Sequence, residues 1–92
     1  MISQKTRNAT REQRSDHALL ERAKMAIGAL PTLSERAVIE SYIANLRAER
    51  AGLAAKYKDM PQVGAMLRVL DLEINGTSMY LSKVIIRGLE GR

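Results

Sequence analysis

The last third of the chain carries two apolar stripes on opposite faces of one predicted helix, from about Pro61 to Gly88. The first stripe follows alternating steps of four and three residues, the spacing that keeps side chains on one helix face: Val63, Leu67, Leu70, Ile74, Thr77, Leu81 and Val84. The second stripe repeats this spacing two residues later, about 200° around the helix: Ala65, Val69, Leu72, Gly76, Met79, Lys83 and Ile86. A helix that is apolar on two opposite faces must be covered on both. The pattern therefore predicts an oligomer.

The segment before it predicts a second long helix, from about Leu33 to Tyr57, opened by a capping box of Thr32 and Glu35. Its apolar seam is broken once by an arginine: Ile39, Ile43, Leu46, Arg50, Leu53 and Tyr57. Either Arg50 extends its charge out to water, or it meets an anion or an acidic partner. The link over residues 58–60 is short, and Pro61 suits the first position of the next helix. We therefore expect the two long helices to be antiparallel neighbours.

The N-terminal part predicts a shorter helix, from Thr10 to about Ala29, with Gly28 and Pro31 as stop signals. Its apolar stripe has few large side chains: Leu19, Leu20, Ala23, Ala26, Ile27 and Leu30. This stripe suits partial cover of the second face of the third helix. The predicted fold class is all-α: an antiparallel helical hairpin of two long helices plus a shorter N-terminal helix, oligomeric and running up-down-up. We expect residues 1–9 to form a flexible basic N-terminal tail and residues 10–92 a single three-helix domain.

Size and composition favour self-association over other ways to stabilise a small domain. Ninety-two residues lie near the lower end of what folds alone. The sequence has no cysteine and one histidine, His17, which excludes disulfides and a Cys/His zinc site. Burial against another copy is the remaining source of stability. With no apolar leader segment and no apolar run of membrane-spanning length, the predicted location is the cytoplasm and no membrane partner or cofactor is expected.

The excess positive charge lies at the two ends of the chain. The net charge is +5: residues 1–24 contribute +3, residues 25–82 balance, and residues 83–92 contribute +2. Anionic ligands are therefore expected to bind near the chain ends. A solvated basic tail that only aids solubility is the alternative.

Catalytic patterns are not evident. His17 lies on a polar, basic stretch that is typical of a surface residue, and the carboxylates have basic neighbours at helical spacing, as in Arg36 with Glu40 and Glu49 with Lys56. The glycines are scattered and form no phosphate-binding loop. We therefore predict that the protein is not an enzyme.

Two binding functions remain as alternatives. A pI near 10.0 is typical of nucleic-acid-binding proteins, but only three aromatic residues are available for base stacking: Tyr42, Tyr57 and Tyr80. The long helices also do not fit a helix-turn-helix. The other alternative is a small helical inhibitor that docks the open apolar face of the third helix on a host protein.

One pattern resembles a known family. The long helix opens with Leu33, Ser34 and Glu35, a short proline-containing link follows, and the third helix then has the spacing of Leu67, Val69, Ile74, Met79, Lys83 and Ile85. Residues 33–86 in this respect resemble the helical-hairpin domain of the phage anti-CBASS and anti-Thoeris sponge proteins. The resemblance implies an oligomeric, non-enzymatic protein that sequesters cyclic nucleotide signals of bacterial anti-phage immunity, with Lys83 as the one residue carried over by position.

The charge placement suggests where such a ligand would bind. If the second stripe of the third helix joins copies head to tail, the charged chain ends, at opposite ends of each monomer, form a basic pocket suited to phosphates. The candidate nucleotide-binding residues are Arg7, Asn8, Arg11, Arg14, Lys24, Lys83 and Arg87. The candidate oligomer-interface residues are Val69, Leu72, Gly76, Met79 and Ile86.

Overall fold

A computed structural model of the protein describes residues 4–90, with side chains from residue 14 onward. These residues form three α-helices and no strand: α1, Gln4–Ile27; α2, Glu35–Lys56; and α3, Val63–Glu90. The all-α prediction is confirmed. Over residues 4–90, none of the helices has both the length and the apolar character that a membrane crossing requires.

Helix α1 begins earlier than expected. It starts at Gln4 instead of Thr10, and its 24 residues exceed the 22 of α2, so the prediction of a shorter N-terminal helix is wrong. The reason is that residues 4–27 contain no glycine or proline and are rich in Gln, Lys, Arg, Ala and Glu, which favour helix. The flexibility expected for residues 1–9 stays a prediction, and residues 1–3 lie outside the described part of the chain.

Helix α1 ends in a hydrogen-bonded glycine cap. Gly28 has a φ of +60°, a conformation that a residue with a Cβ adopts only at a cost. The amide of Ala29 donates to the carbonyl of Lys24 at 2.9 Å, and the amide of Gly28 donates to the carbonyl of Met25 at 3.3 Å. This pair of bonds is the Schellman motif, and it satisfies the last carbonyls of the helix.

The connection from α1 to α2 contains a proline turn. The amide of Leu33 donates to the carbonyl of Leu30 at 3.1 Å, which places Pro31 and Thr32 at the two central positions of a β-turn. Proline suits the first of these positions because its φ is already fixed there. Thr32 is therefore part of the turn and does not start the helix.

The cap of α2 is Ser34, so the predicted capping box of Thr32 and Glu35 is wrong. Ser34 has extended backbone angles, and its hydroxyl accepts a hydrogen bond from the amide of Ala37 at 3.1 Å. This satisfies one of the free amides at the start of a helix. Glu35 becomes the first helical residue, and its side chain is free to contact α3.

Helix α3 also begins after a proline turn. The amide of Val63 donates to the carbonyl of Met60 at 3.2 Å, so Pro61 lies inside a turn and is not the first helical residue as predicted. The helix then continues without interruption through Asn75 and Gly76 to Glu90. The expected continuity across this Asn-Gly pair is confirmed.

The core lies between the C-terminal half of α1 and the N-terminal half of α2, with one tyrosine from α3. Its buried members are Leu19, Ala23, Val38, Ile39, Tyr42, Ile43, Leu46 and Tyr80. Leu20 and Ile27 are partly buried against this cluster. Leu30, expected in the stripe of α1, and Ala26, expected to widen it, are exposed. Leu30 is the first residue of the proline turn.

Paired side chains give the helix directions. From α2 to α3 the pairs are Glu35 with Arg87, Tyr42 with Glu73 and Arg50 with Asp71, so the two helices run in opposite directions. Those from α1 to α3, Asp16 with Lys83 and Arg22 with Glu73, also run oppositely. The up-down-up expectation, which needs α1 parallel to α3, is therefore wrong. Helix α1 packs mainly on α2, through the core that Leu19 and Ala23 share with that helix.

Candidate functional site

The second stripe of α3 is exposed along nearly its whole length; we call it the outer face of α3, comprising Ala65, Val69, Leu72, Gly76, Met79, Lys83 and Ile86. Val69, Leu72, Met79 and Ile86 are 66%, 71%, 68% and 52% exposed. The opposite stripe, from Val63 to Val84, is buried or half-buried. Lys83 is half-buried and contacts Asp16 of α1. The exposed members of the outer face form an apolar surface that a partner could cover.

Gly76 lies at the centre of the outer face. It is inside a continuous helix, and a Cβ added there would have no atom within 4 Å. Glycine costs a helix about 1 kcal/mol relative to alanine. Contacts within the described chain therefore give no reason for a glycine at this position.

Two cations lie near the C-terminal end of the outer face, and both have acidic partners. The ammonium of Lys83 lies 3.3 Å from a carboxylate oxygen of Asp16, and the guanidinium of Arg87 lies 3.2 Å from one of Glu35. Arg87 also lies over the ring of Tyr80, 6.0 Å from its centroid. These contacts join α3 to both other helices.

Tyr80 is the buried centre of this group. Its ring is 5% exposed, and its hydroxyl donates a hydrogen bond to the carboxylate of Glu35. Burial raises the pKa of Tyr80 above its usual value, and the hydrogen bond to Glu35 raises that pKa further. A shallow pocket of about 210 Å³ opens beside it, lined by Asp16, His17, Leu20, Tyr80 and Arg87.

A second polar cluster is centred on Glu73. Its carboxylate accepts two hydrogen bonds from Arg22, at 3.0 and 3.1 Å, and one from the hydroxyl of Tyr42 at 2.6 Å. The bonds from Arg22 lower the pKa of Glu73, against the opposing effect of burial. Burial and the bond to Glu73 raise the pKa of Tyr42. One side chain from each helix therefore meets here.

Thr77 shows how the inward stripe of α3 tolerates a polar residue. It is fully buried, and its hydroxyl donates to the backbone carbonyl of Glu73 at 2.6 Å. The hydroxyl is thus satisfied within its own helix, as buried polar groups usually are.

Arg50, the residue that interrupts the apolar seam of α2, has an acidic partner. Arg50 donates two hydrogen bonds to the carboxylate of Asp71 on α3, at 2.5 and 3.3 Å. This two-point contact is the geometry that guanidinium and carboxylate groups favour. Both predicted alternatives hold in part: the Arg50 side chain is 40% exposed, and its charge meets an acidic partner in the same chain.

The predicted nucleotide-binding residues are only partly brought together. Lys83 and Arg87 lie on one part of α3, Arg14 is exposed on the neighbouring helix, and Lys24 pairs with Glu21 at 3.4 Å. The side chains of Arg7, Asn8 and Arg11 lie outside the described residues.

The expectation that the two charged chain ends lie at opposite ends of the monomer is wrong. Asp16 contacts Lys83, which places this part of α1 beside the C-terminal half of α3. The cause is that α1 packs on α2, whose first helical residue, Glu35, contacts Arg87 in the same half of α3.

Sequence reasoning missed three members of this region: Asp16, Glu35 and Tyr80. Glu35 was assigned to a helix cap, and Tyr80 belongs to neither stripe of α3. A usable signal was present, because Tyr80 follows Thr77 by three residues and thus adjoins the inward stripe.

The described residues contain no cluster of three or more His, Cys, Asp or Glu side chains placed to hold a metal ion. Several of the described ionic groups pair across the helices. Their arrangement suits the joining of helices, with the outer face of α3 left as the open surface.

No known protein family, no curated protein and no solved structure matches the chain.

Proposed function

We propose that this chain is a non-enzymatic binding protein that self-associates through the outer face of α3 and sequesters cyclic nucleotide signals of bacterial anti-phage immunity. In this proposal α2 and α3 form an antiparallel helical hairpin, which is the repeating unit of an oligomer in the host cytoplasm. The observation that carries the proposal is the exposed apolar outer face, with Lys83 on it and Arg87 close by.

An apolar face next to cations suits an anionic ligand held between copies. Association would bury the apolar face, and lowering the exposure to water would strengthen the attraction between the cations and phosphate. Helix α1 supports the same interpretation, because positions 7, 11 and 14, all arginine, follow helical spacing within Gln4–Ile27.

The ion pairs of the monomer set a condition on this site. A phosphate at Lys83 or Arg87 has to compete with Asp16 or Glu35 for the same cation. Removal of the competing carboxylate should therefore strengthen the binding of an anion, and removal of the cation should weaken it.

Isothermal titration calorimetry against a panel of cyclic dinucleotides, cyclic trinucleotides and cyclic ADP-ribose variants tests the proposal. We expect stoichiometric binding, tightened by Asp16→Asn and weakened at least tenfold by Lys83→Gln. Lys58→Gln, an exposed lysine on the link between α2 and α3, is the matched control and should leave affinity unchanged.

Mass spectrometry of the ligand released by denaturation should show it chemically unchanged. A hydrolysed ligand would contradict the non-enzymatic part of the proposal. No heat with any member of the panel would contradict the nucleotide part.

A second function is favoured by the exposure of the outer face alone: docking on a different protein. Met79→Glu would then abolish capture of that protein without altering nucleotide binding. Met25→Glu is the control, because Met25 is 83% exposed but lies on α1, away from the outer face.

A further inference from the structure

We propose that two copies of this chain associate by crossing their α3 helices at Gly76, in antiparallel orientation. The inference rests on the self-association in the proposed function. It adds the contact point of the two copies and their relative direction.

The outer face has the area of a weak, reversible interface. A fully exposed Val, Leu, Met or Ile side chain offers on the order of 100 Å² of apolar surface. At the exposures of Val69, Leu72, Met79 and Ile86, each copy presents roughly 250 Å² of apolar surface. Apolar surface makes up somewhat more than half of a typical interface. The two copies together therefore bury a total of roughly 800–1,000 Å², which is the range of weak associations. We therefore expect a concentration-dependent dimer.

Within the outer face of α3, Gly76 is the position at which a second helix backbone can approach most closely. It lies between Leu72 and Met79 on the outer face, and no atom of the monomer would contact a Cβ there. A glycine at a helix crossing lets the partner backbone approach and the flanking side chains interlock around it. These contacts between the two copies offset the helix stability that glycine costs relative to alanine.

Charge favours the antiparallel orientation. A parallel crossing would place Arg68, Lys83 and Arg87 each beside the same residue of the second copy. The repulsion is strongest at Arg68, because Lys83 and Arg87 each pair with a carboxylate of their own copy. An antiparallel crossing about Gly76 places Lys83 opposite Val69 and places Leu72 opposite Met79. The antiparallel crossing thus avoids placing like charges beside each other, and it keeps the apolar residues of the two copies in contact.

Sedimentation equilibrium over a concentration series, without nucleotide, tests the contact point. Gly76→Leu should weaken dimerisation at least tenfold, because its side chain holds the backbones apart. Gly52→Leu is the matched control: Gly52 is also an exposed helical glycine with no neighbour within 4 Å, but lies on α2. Circular dichroism should show both variants fully helical.

Three results would overturn the crossing at Gly76: stronger dimerisation of Gly76→Leu, a comparable loss for Gly52→Leu, or a natural chain that stays monomeric at every concentration. Met79→Glu should also abolish the dimer, whereas Met25→Glu should leave it intact. A dimer that survives Met79→Glu would exclude the outer face altogether.

Introduced cysteines test the orientation, because the natural chain has none. In the antiparallel dimer, the two cysteines of Leu72→Cys, one in each copy, lie about 12 Å apart along the helix axis. The two cysteines of Met79→Cys lie about 9 Å apart. Both distances exceed disulfide reach. A mixture of the two variants should therefore oxidise to the mixed dimer, and each variant alone should not cross-link. Efficient cross-linking of each variant with itself would indicate a parallel dimer and overturn the inference.

These measurements separate the inference from the proposed function. Dimerisation is followed without nucleotide, so failed calorimetry leaves the crossing at Gly76 standing. A monomer that still binds cyclic nucleotide stoichiometrically would overturn the crossing and leave sequestration standing.

Discussion

Glu73 is the residue at which the three helices meet. Its carboxylate accepts hydrogen bonds from Arg22 of α1 and Tyr42 of α2. Each of these contacts joins residues that are distant along the chain. A change at this position therefore tests how the helices are held together, which no substitution on a single exposed face would do.

Glu73→Gln should lower the free energy of unfolding by about 1–2 kcal/mol at neutral pH, because it removes the charge from a partly buried hydrogen-bonded group. Urea denaturation measures this. The control is Glu40→Gln, which removes an exposed pairing with Arg36 within α2 and should change stability by less than about 0.5 kcal/mol. Equal losses for the two variants would show that Glu73 has no special role.

The stability should also depend on pH through Glu73. Folding lowers the pKa of this carboxyl below its ordinary value of 4.5, so its contribution is fully present above that value. The contribution is lost as the pH falls through the lower, folded-state pKa. Urea titrations between neutral pH and pH 3 should show a smaller loss of stability for Glu73→Gln than for the natural chain. If the free energy of unfolding depended on pH equally in Glu73→Gln and in the natural chain, the lowered pKa of Glu73 would be contradicted.

At the scale of the helix, the cap of α2 distinguishes the sequence prediction from the structure. Ser34→Ala should lower the free energy of unfolding by about 1 kcal/mol, because the amide of Ala37 loses its acceptor. Thr32→Ala should change it by less than about 0.5 kcal/mol. Thermal or urea unfolding of the two variants measures this difference. A larger loss of stability for Thr32→Ala than for Ser34→Ala would support the capping box of Thr32 and Glu35 and contradict the cap at Ser34.

The end of α1 allows a similar matched test with glycine. Gly28→Ala should destabilise the protein by about 1 kcal/mol, because alanine is strained at a φ of +60°. Gly52→Ala, inside α2 and in open space, should stabilise it by up to about 1 kcal/mol through helix propensity. Urea denaturation should therefore show shifts of opposite sign, and shifts of the same sign would contradict the cap at Gly28.

At the scale of the whole molecule, the position of α1 depends on a few buried contacts. Leu19→Ala should lower the free energy of unfolding by about 2–4 kcal/mol, because Leu19 is 6% exposed and packs into the core shared with α2. Met25→Ala, at an 83% exposed position on the same helix, should change it by less than about 0.5 kcal/mol.

Circular dichroism and tyrosine fluorescence should show the same unfolding transition. Far-ultraviolet circular dichroism reports the helices, and tyrosine fluorescence reports the three tyrosines, of which Tyr42 and Tyr80 lie in the core. Coincident transitions are expected if α1 unfolds together with the other helices. An earlier loss of helix signal would show that α1 separates first and that Leu19 does not couple it to the core.

The sequence predicted the apolar part of the candidate site and the two cations near its end, Lys83 and Arg87, but not the partners of these cations. The spacing of Val69, Leu72, Met79 and Ile86 indicated an outward face on α3, and the structure leaves those residues exposed. The acidic partners of Lys83 and Arg87 were not predictable, because Asp16 and Glu35 are distant in sequence and meet those cations only when α1 and α2 pack on α3.

The sequence by itself determined that the described chain is helical, that α3 runs unbroken through Gly76, and that one of its stripes faces inward. Helical periodicity and stop signals are local, so they are readable without a fold. Tertiary structure alone decided that α1 is not parallel to α3, that Arg50 meets Asp71, and that Glu73 joins three helices. Those contacts depend on which faces pack together, and the thin apolar stripe of α1 fits more than one arrangement until Leu19 and Ala23 dock on α2.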